Sequence, residues 1–125
     1  MLRAFAVLAA LMASLAASDR SFAAEHKLPA GYKLGRCVLE VQGKTYLSGR
    51  CAYLVDRDGS FEVIDPRKLW RDEGYFAYVN LDGASAEGSW NEETLSSHAD
   101  APLGPLTRRG ACWVNKRARI CLWRR

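Results

Sequence analysis

The sequence predicts an all-β domain: a small antiparallel sandwich or barrel of about seven or eight short strands, stapled by two disulfides. Three observations carry this. Short runs rich in β-branched and aromatic residues are cut by turns bearing Gly, Asp or Asn, with no amphipathic helical stretch between them. The chain has 4 cysteines, Cys37, Cys51, Cys112 and Cys121, all beyond an N-terminal apolar segment. Its last stretch, Arg108 to Arg125, folds on itself as a basic hairpin with cysteine opposite cysteine.

The first residues read as a signal peptide over residues 1–23. Met1-Leu2-Arg3 gives a short positive start, and the apolar run from Ala4 to Ala17 is too short to span a bilayer. Ser21-Phe22-Ala23 places small residues where a signal peptidase reads them, so cleavage is expected after Ala23, with Ala24 as the alternative. Residues 24–125 are then one domain, small enough to gain from covalent staples. An even cysteine count in a short exported chain implies two disulfides made in an oxidising compartment. The expected location is periplasmic or secreted, with no membrane span after cleavage. A four-thiolate zinc site would need closely spaced cysteine pairs, and here even Cys112 and Cys121 are far apart. Neither metal nor cofactor is expected.

Residues 24–35 read as a leader strap, interrupted by Pro29, Gly31 and Gly35. Arg36–Val41 and Thr45–Ser48 read as strands joined at Gln42-Gly43-Lys44. That fold brings Cys37 near Cys51, with a bulge at Ser48-Gly49 to adjust the register. Cys51–Val55 and Ser60–Ile64 flank Asp56-Arg57-Asp58-Gly59, a hairpin turn by its Asp and Gly. A calcium loop is the rival there, but its first ligand position falls on Leu54. Asp65–Gly74 is a polar connection with room for one helical turn, Pro66 suiting its start and Gly74 its end. Tyr75–Asn80 is strand-like, and Leu81-Asp82-Gly83 turns it back into Ala84–Asn91. Asn91–Leu106 reads as a long surface loop. In the closing hairpin, a turn at Lys116-Arg117 sets Trp113 opposite Ile120 and Cys112 opposite Cys121. The expected pairs are Cys37–Cys51 and Cys112–Cys121; the two other connectivities stay open.

Several groups are candidates for chemistry. Arg108, Arg109, Lys116, Arg117, Arg119, Arg124 and Arg125 follow one another with no acid between them. Such a run favours anionic partners, and it also suits a solvated edge strand. The chain holds 4 tryptophans and 5 tyrosines. Trp123, beside the chain end, is the expected exposed ring, while Trp90 and Trp113 are expected in the core. The candidate binding residues are therefore Trp123, Arg117, Arg119, Arg124 and Arg125, with His98 on the loop. Ser97, His98 and Asp100 supply the residue types of a hydrolytic triad, yet neighbours on one loop rarely converge. No Gly-x-Ser-x-Gly elbow accompanies them. Glu92, Glu93 and Asp100 could supply paired carboxylates, but nothing in the sequence sets one of them in an apolar pocket.

The general form, a small exported disulfide-bonded β domain, is similar to that of bacterial periplasmic lysozyme inhibitors. Those carry a Ser-Gly-x-x-Tyr loop. In Ser48-Gly49-Arg50-Cys51-Ala52-Tyr53 the tyrosine comes one residue late. The likeness covers six residues, departs at the key spacing and transfers no site. The function expected from the sequence is an exported, non-catalytic binding or inhibitor-like module of the cell envelope. Its expected partner is an anionic envelope component or a protein; nucleic acid is not an expected ligand of an exported chain. The alternative is a small hydrolase using the His98 loop.

Overall fold

The computed structural model describes residues 27–125; the expected signal peptide lies outside the described residues. Eight strands follow one another: β1 (Lys33–Val41), β2 (Lys44–Val55), β3 (Phe61–Ile64), β4 (Phe76–Asp82), β5 (Ser85–Trp90), β6 (Ala101–Arg109), β7 (Cys112–Val114) and β8 (Ala118–Trp123). Each pairs antiparallel with the next, and β8 returns to β1, so the sheet closes into a barrel. One helix, α1 (Pro66–Arg71), lies between β3 and β4. Among the described residues no helix is long and apolar enough to cross a membrane.

Alternation along the strands fills the interior. Leu39, Val63, Val79, Leu103 and Ile120 point inward and are almost wholly buried. Small residues make room for them. A Cβ on Gly88 would lie 2.8 Å from Leu106 Cδ1 and 3.2 Å from Leu103 Cβ, so β5 lies close to its neighbours only because Gly88 has no side chain. A second, smaller apolar cluster lies outside the barrel wall. Ala52, Ile64 and Phe76 are covered there by Leu28, Tyr32, Leu69, Tyr78 and Ala99.

Both expected disulfides form, Cys37–Cys51 and Cys112–Cys121. The first does so in a different register from the expected one. The β1–β2 turn is the two-residue Gln42-Gly43, with φ of 52° and 77°, and Val41 faces Lys44 across it. The bulge falls between Leu39 and Glu40, not at Ser48-Gly49. Cys37 therefore faces Gly49, and Cys51 faces Gly35. The bridge runs diagonally across the ladder at a Cα–Cα distance of 5.8 Å, with both cysteines wholly buried. Strand β2 is continuous where the sequence suggested two pieces, because Gly49 takes φ of 90° inside the ladder without ending it. Strand β1 likewise begins at Lys33, within the stretch read as a strap.

The helix starts as expected. Pro66 opens it, and the Asp65 carboxylate accepts a hydrogen bond from the Arg67 amide at 3.0 Å. Its end differs: Asp72, not Gly74, takes the left-handed conformation, with φ of 52°. Strand β4 also runs on to Asp82, so the next turn is Gly83-Ala84 rather than Leu81–Gly83.

The largest departure concerns residues 91–106. Only residues 91–100 connect strands; β6 begins at Ala101. Pro102 and Pro105 masked this strand. Both are exposed, and their carbonyls turn away from β5, toward Arg117 Nη1 and Asn115 Nδ2. In an antiparallel ladder a residue's N–H and C=O point the same way. The missing N–H groups thus fall on the side that the three-residue β7 is too short to reach, where no ladder donor is needed. The remaining connection is tied down. Asn91 is buried, its Nδ2 donates to the carbonyls of Gly74, Glu93 and Ser96, and its Oδ1 accepts from the Phe76 amide.

The closing hairpin has the expected register, with Cys112 opposite Cys121, Trp113 opposite Ile120 and Val114 opposite Arg119. Its turn lacks glycine because Asn115 does the capping. Asn115 Oδ1 accepts from the amides of Arg117 and Ala118, both at 2.8 Å, and its Nδ2 donates to the Leu103 and Pro105 carbonyls.

Replacing Cys112 and Cys121 together by Ser is expected to cost about 2–3 kcal/mol in the chain-entropy model. Asn91→Ala should cost a similar amount, about 2–4 kcal/mol, because it leaves buried backbone groups without partners. Ser97, His98 and Asp100 are exposed, so changing all three to Ala should leave the melting temperature nearly unchanged. Thermal melts of the three variants check this ordering; a triple loop variant that loses most would overturn it.

Candidate binding surface

The two ends of the barrel differ. At one end lie the turn at Gln42-Gly43, the helix, the 91–100 connection and the Lys116-Arg117 turn. Aromatic rings plug this end: Tyr46 meets Trp90 edge-on at 4.6 Å and Tyr75 at 5.0 Å. At the other end lie the Asp56–Gly59 turn, Gly83-Ala84, Gly110-Ala111 and the chain terminus. The Asp56–Gly59 turn is made as the sequence suggested, with the Asp58 carboxylate accepting from the Ser60 amide at 2.8 Å.

Strand β8 distributes the basic residues between these ends. Arg117 sits at the plugged end and Arg124 at the other, about 20 Å apart along an extended strand. The four candidate arginines therefore do not form one patch. Arg117 and Arg119 belong to an open groove of about 600 Å³ on the outer face of β6, β7, β8 and β1. Arg109 and Lys116 complete its basic lining; Glu40 is its one acid, and Val114 adds apolar surface. Arg119 lies 3.7 Å from Glu40, with both side chains partly exposed, a contact of little energetic weight. Arg117 is held by its bond to the Pro102 carbonyl at 3.2 Å. The sequence run did not single out Arg109 as a groove residue. Knowing that Arg109 faces Cys112, on the same outward row as Val114, would have done so.

Trp123 is on the outer face and 42% exposed, as the sequence suggested, where it bounds a shallow concavity with Arg36 and Arg125. Trp90 is buried in the core and Trp113 packs partly against it. His98 lies on the opposite end of the barrel from Trp123, Arg124 and Arg125. Among the described residues no hydrogen bond joins the side chains of Ser97, His98 and Asp100; the recorded bonds of His98 are main-chain bonds to Ser96 Oγ. No group of three or more His, Cys, Asp or Glu among the described residues is placed to hold a metal ion.

Sequence reasoning missed one titratable cluster. Glu62 points outward from β3, yet it is buried beneath Tyr32 and Tyr78. The Tyr32 hydroxyl donates to Glu62 Oε2 at 3.0 Å, fastening residues 28–32 over the outer apolar cluster. Burial raises the Glu62 carboxyl above its ordinary value of 4.5, with Asp56 adding repulsion, against the hydrogen bonds of both tyrosines. Burial and the Glu62 charge push Tyr78 up to about 12, and Tyr32 is raised by the same causes. The group reads as a latch for the strap, with the Tyr32 hydroxyl bonded to Glu62 over the outer apolar cluster. Its signal in the sequence, an acid amid Phe61, Val63 and Ile64, gives no hint of the residue that covers it.

No protein-family model, no curated protein and no solved structure matches this chain.

A raised carboxyl contributes stability that is full below its unfolded value and lost as pH rises through the folded one. Glu62→Gln stays neutral throughout. Between about pH 4 and pH 7 the melting temperature of this variant should therefore rise relative to that of the wild type. Parallel melts check it; a constant difference across that range would contradict the raised carboxyl.

Proposed function

We propose that the chain is an exported, non-catalytic binding module of the cell envelope that takes an anionic surface or polymer along the β6–β8 groove. The supporting observation is the convergence of Arg109, Lys116, Arg117 and Arg119 around one open concavity with Glu40 as its single acid. An open groove lined by one sign of charge draws extended anions, such as acidic glycans or the phosphates of envelope polymers. Two disulfides fit an oxidising compartment and keep a small barrel intact there. A protein partner with an acidic surface would use the same charges. The hydrolase reading lacks support, because a triad needs a nucleophile, base and orienting acid within reach of one another.

Retention on a sulfated polysaccharide matrix tests the proposal. Replacing Arg109, Lys116, Arg117 and Arg119 by Ser should weaken retention by about ten-fold at moderate salt and flatten its salt dependence. Replacing Arg124 and Arg125 by Ser should have a much smaller effect. Equal losses in the two variants would mean that the protein's net charge, and not the groove, governs retention.

A further inference from the structure

We infer a second, chemically distinct site: the concavity at the other mouth of the barrel is built to take a small apolar acid, its ring or branched body on the apolar floor and its carboxylate at the rim. The plugged end is filled by Tyr46, Tyr75 and Trp90. At the other end a concavity of about 210 Å³ opens between the strand ends, over Phe61, Leu81, Trp113 and Leu122. These four belong to the barrel core or pack against it, so the floor of the concavity is the core itself.

Two guanidinium groups complete its lining, Arg108 and Arg124, with no acid among the residues that form it. Their placement follows from strand alternation. On β6 the inward row runs from Leu106 to Arg108, which faces Trp113 across the ladder. On β8 it runs Ala118, Ile120, Leu122 and, one step past the strand, Arg124. Each inward row is apolar until its last member, which is an arginine at the rim. Arg108 is held in place by its bond from Nε to the Gly110 carbonyl at 3.2 Å. That contact leaves its terminal nitrogens to bind elsewhere. The Arg124 carbonyl accepts from the Tyr53 hydroxyl at 3.5 Å.

An apolar floor with two guanidinium groups at its edge is complementary to an amphiphile with one negative end. The volume is small beside that of drug-sized pockets, so the body is about one ring with a short acid arm. A long lipid chain does not fit, because the barrel interior behind the mouth is packed with Leu103, Ile120 and Val79. This site shares no residue with the β6–β8 groove.

The test uses 3-phenylpropionate and its neutral isostere 3-phenylpropanamide, titrated into the purified, disulfide-bonded protein. Binding is read at the Trp113 indole N–H resonance, assigned through Trp113→Phe. The carboxylate should give a saturable shift with a dissociation constant of about 1 mM, as suits so small a ligand. The amide should bind about ten-fold more weakly, and Arg108→Gln with Arg124→Gln should weaken the carboxylate by a similar factor. Arg117→Ser with Arg119→Ser should leave the titration unchanged. Equal affinity for acid and amide in the wild type would overturn the inference without recourse to any variant. So would an unmoved Trp113 resonance at saturating ligand, or full affinity in the doubly substituted rim.

Discussion

The pairing of the last strand with the first is the constraint on which the rest of the molecule depends. Between Arg36↔Trp123 and Val41↔Ala118, β8 and β1 form a continuous antiparallel ladder. That ladder removes the two exposed edges an open eight-stranded meander would carry. It also encloses the inward rows, so Leu39 and Ile120, facing each other across it, are both wholly buried. The two disulfides flank it. Cys37–Cys51 ties β1 to β2 inside the wall, and Cys112–Cys121 ties β7 to β8. Each staple holds one side of the seam to its hairpin neighbour, so loss of the seam would leave an open sheet with a stapled hairpin at each edge rather than a barrel.

The same strand carries the candidate sites. Alternation along β8 sends Arg119 outward to the groove, while the inward row ends at the mouth with Leu122 and Arg124. One short basic segment therefore serves two surfaces that differ in kind. The groove is open and charged, suited to an extended anion. The mouth is apolar with a cationic rim, suited to a small one. The wall on the far side has neither property; there Glu62, Tyr32 and Tyr78 fasten the strap over Ala52, Ile64 and Phe76.

Much of this was legible in the sequence, and the exceptions have physical causes. Period-two alternation and turn chemistry gave the all-β class, and the Cys112–Cys121 register followed from folding the hairpin symmetrically. Cys37–Cys51 was paired correctly for an incomplete reason. A bulge shifts every later partner, and its place depends on side-chain packing across the strands, which spacing alone does not reveal. Strand β6 was taken for loop because Pro102 and Pro105 argue against a ladder until the shortness of β7 is known. Closure itself was not readable: a sandwich and a barrel share the same alternation and differ only in whether β8 meets β1. For that reason the basic run looked like one patch, and its division between groove and mouth appeared only with the barrel. The burial of Glu62 depends on Tyr32, thirty residues earlier, and a local pattern does not encode such a contact.

Native-state hydrogen exchange resolved by residue tests closure most directly. If β8 and β1 seal the barrel, their bonded amides open only with the whole fold and exchange as slowly as those of β3 and β4. If the seam amides exchange about a hundred-fold faster while β3 and β4 stay protected, the sheet opens at that edge. The seam could then not be the constraint that holds the fold and both sites together.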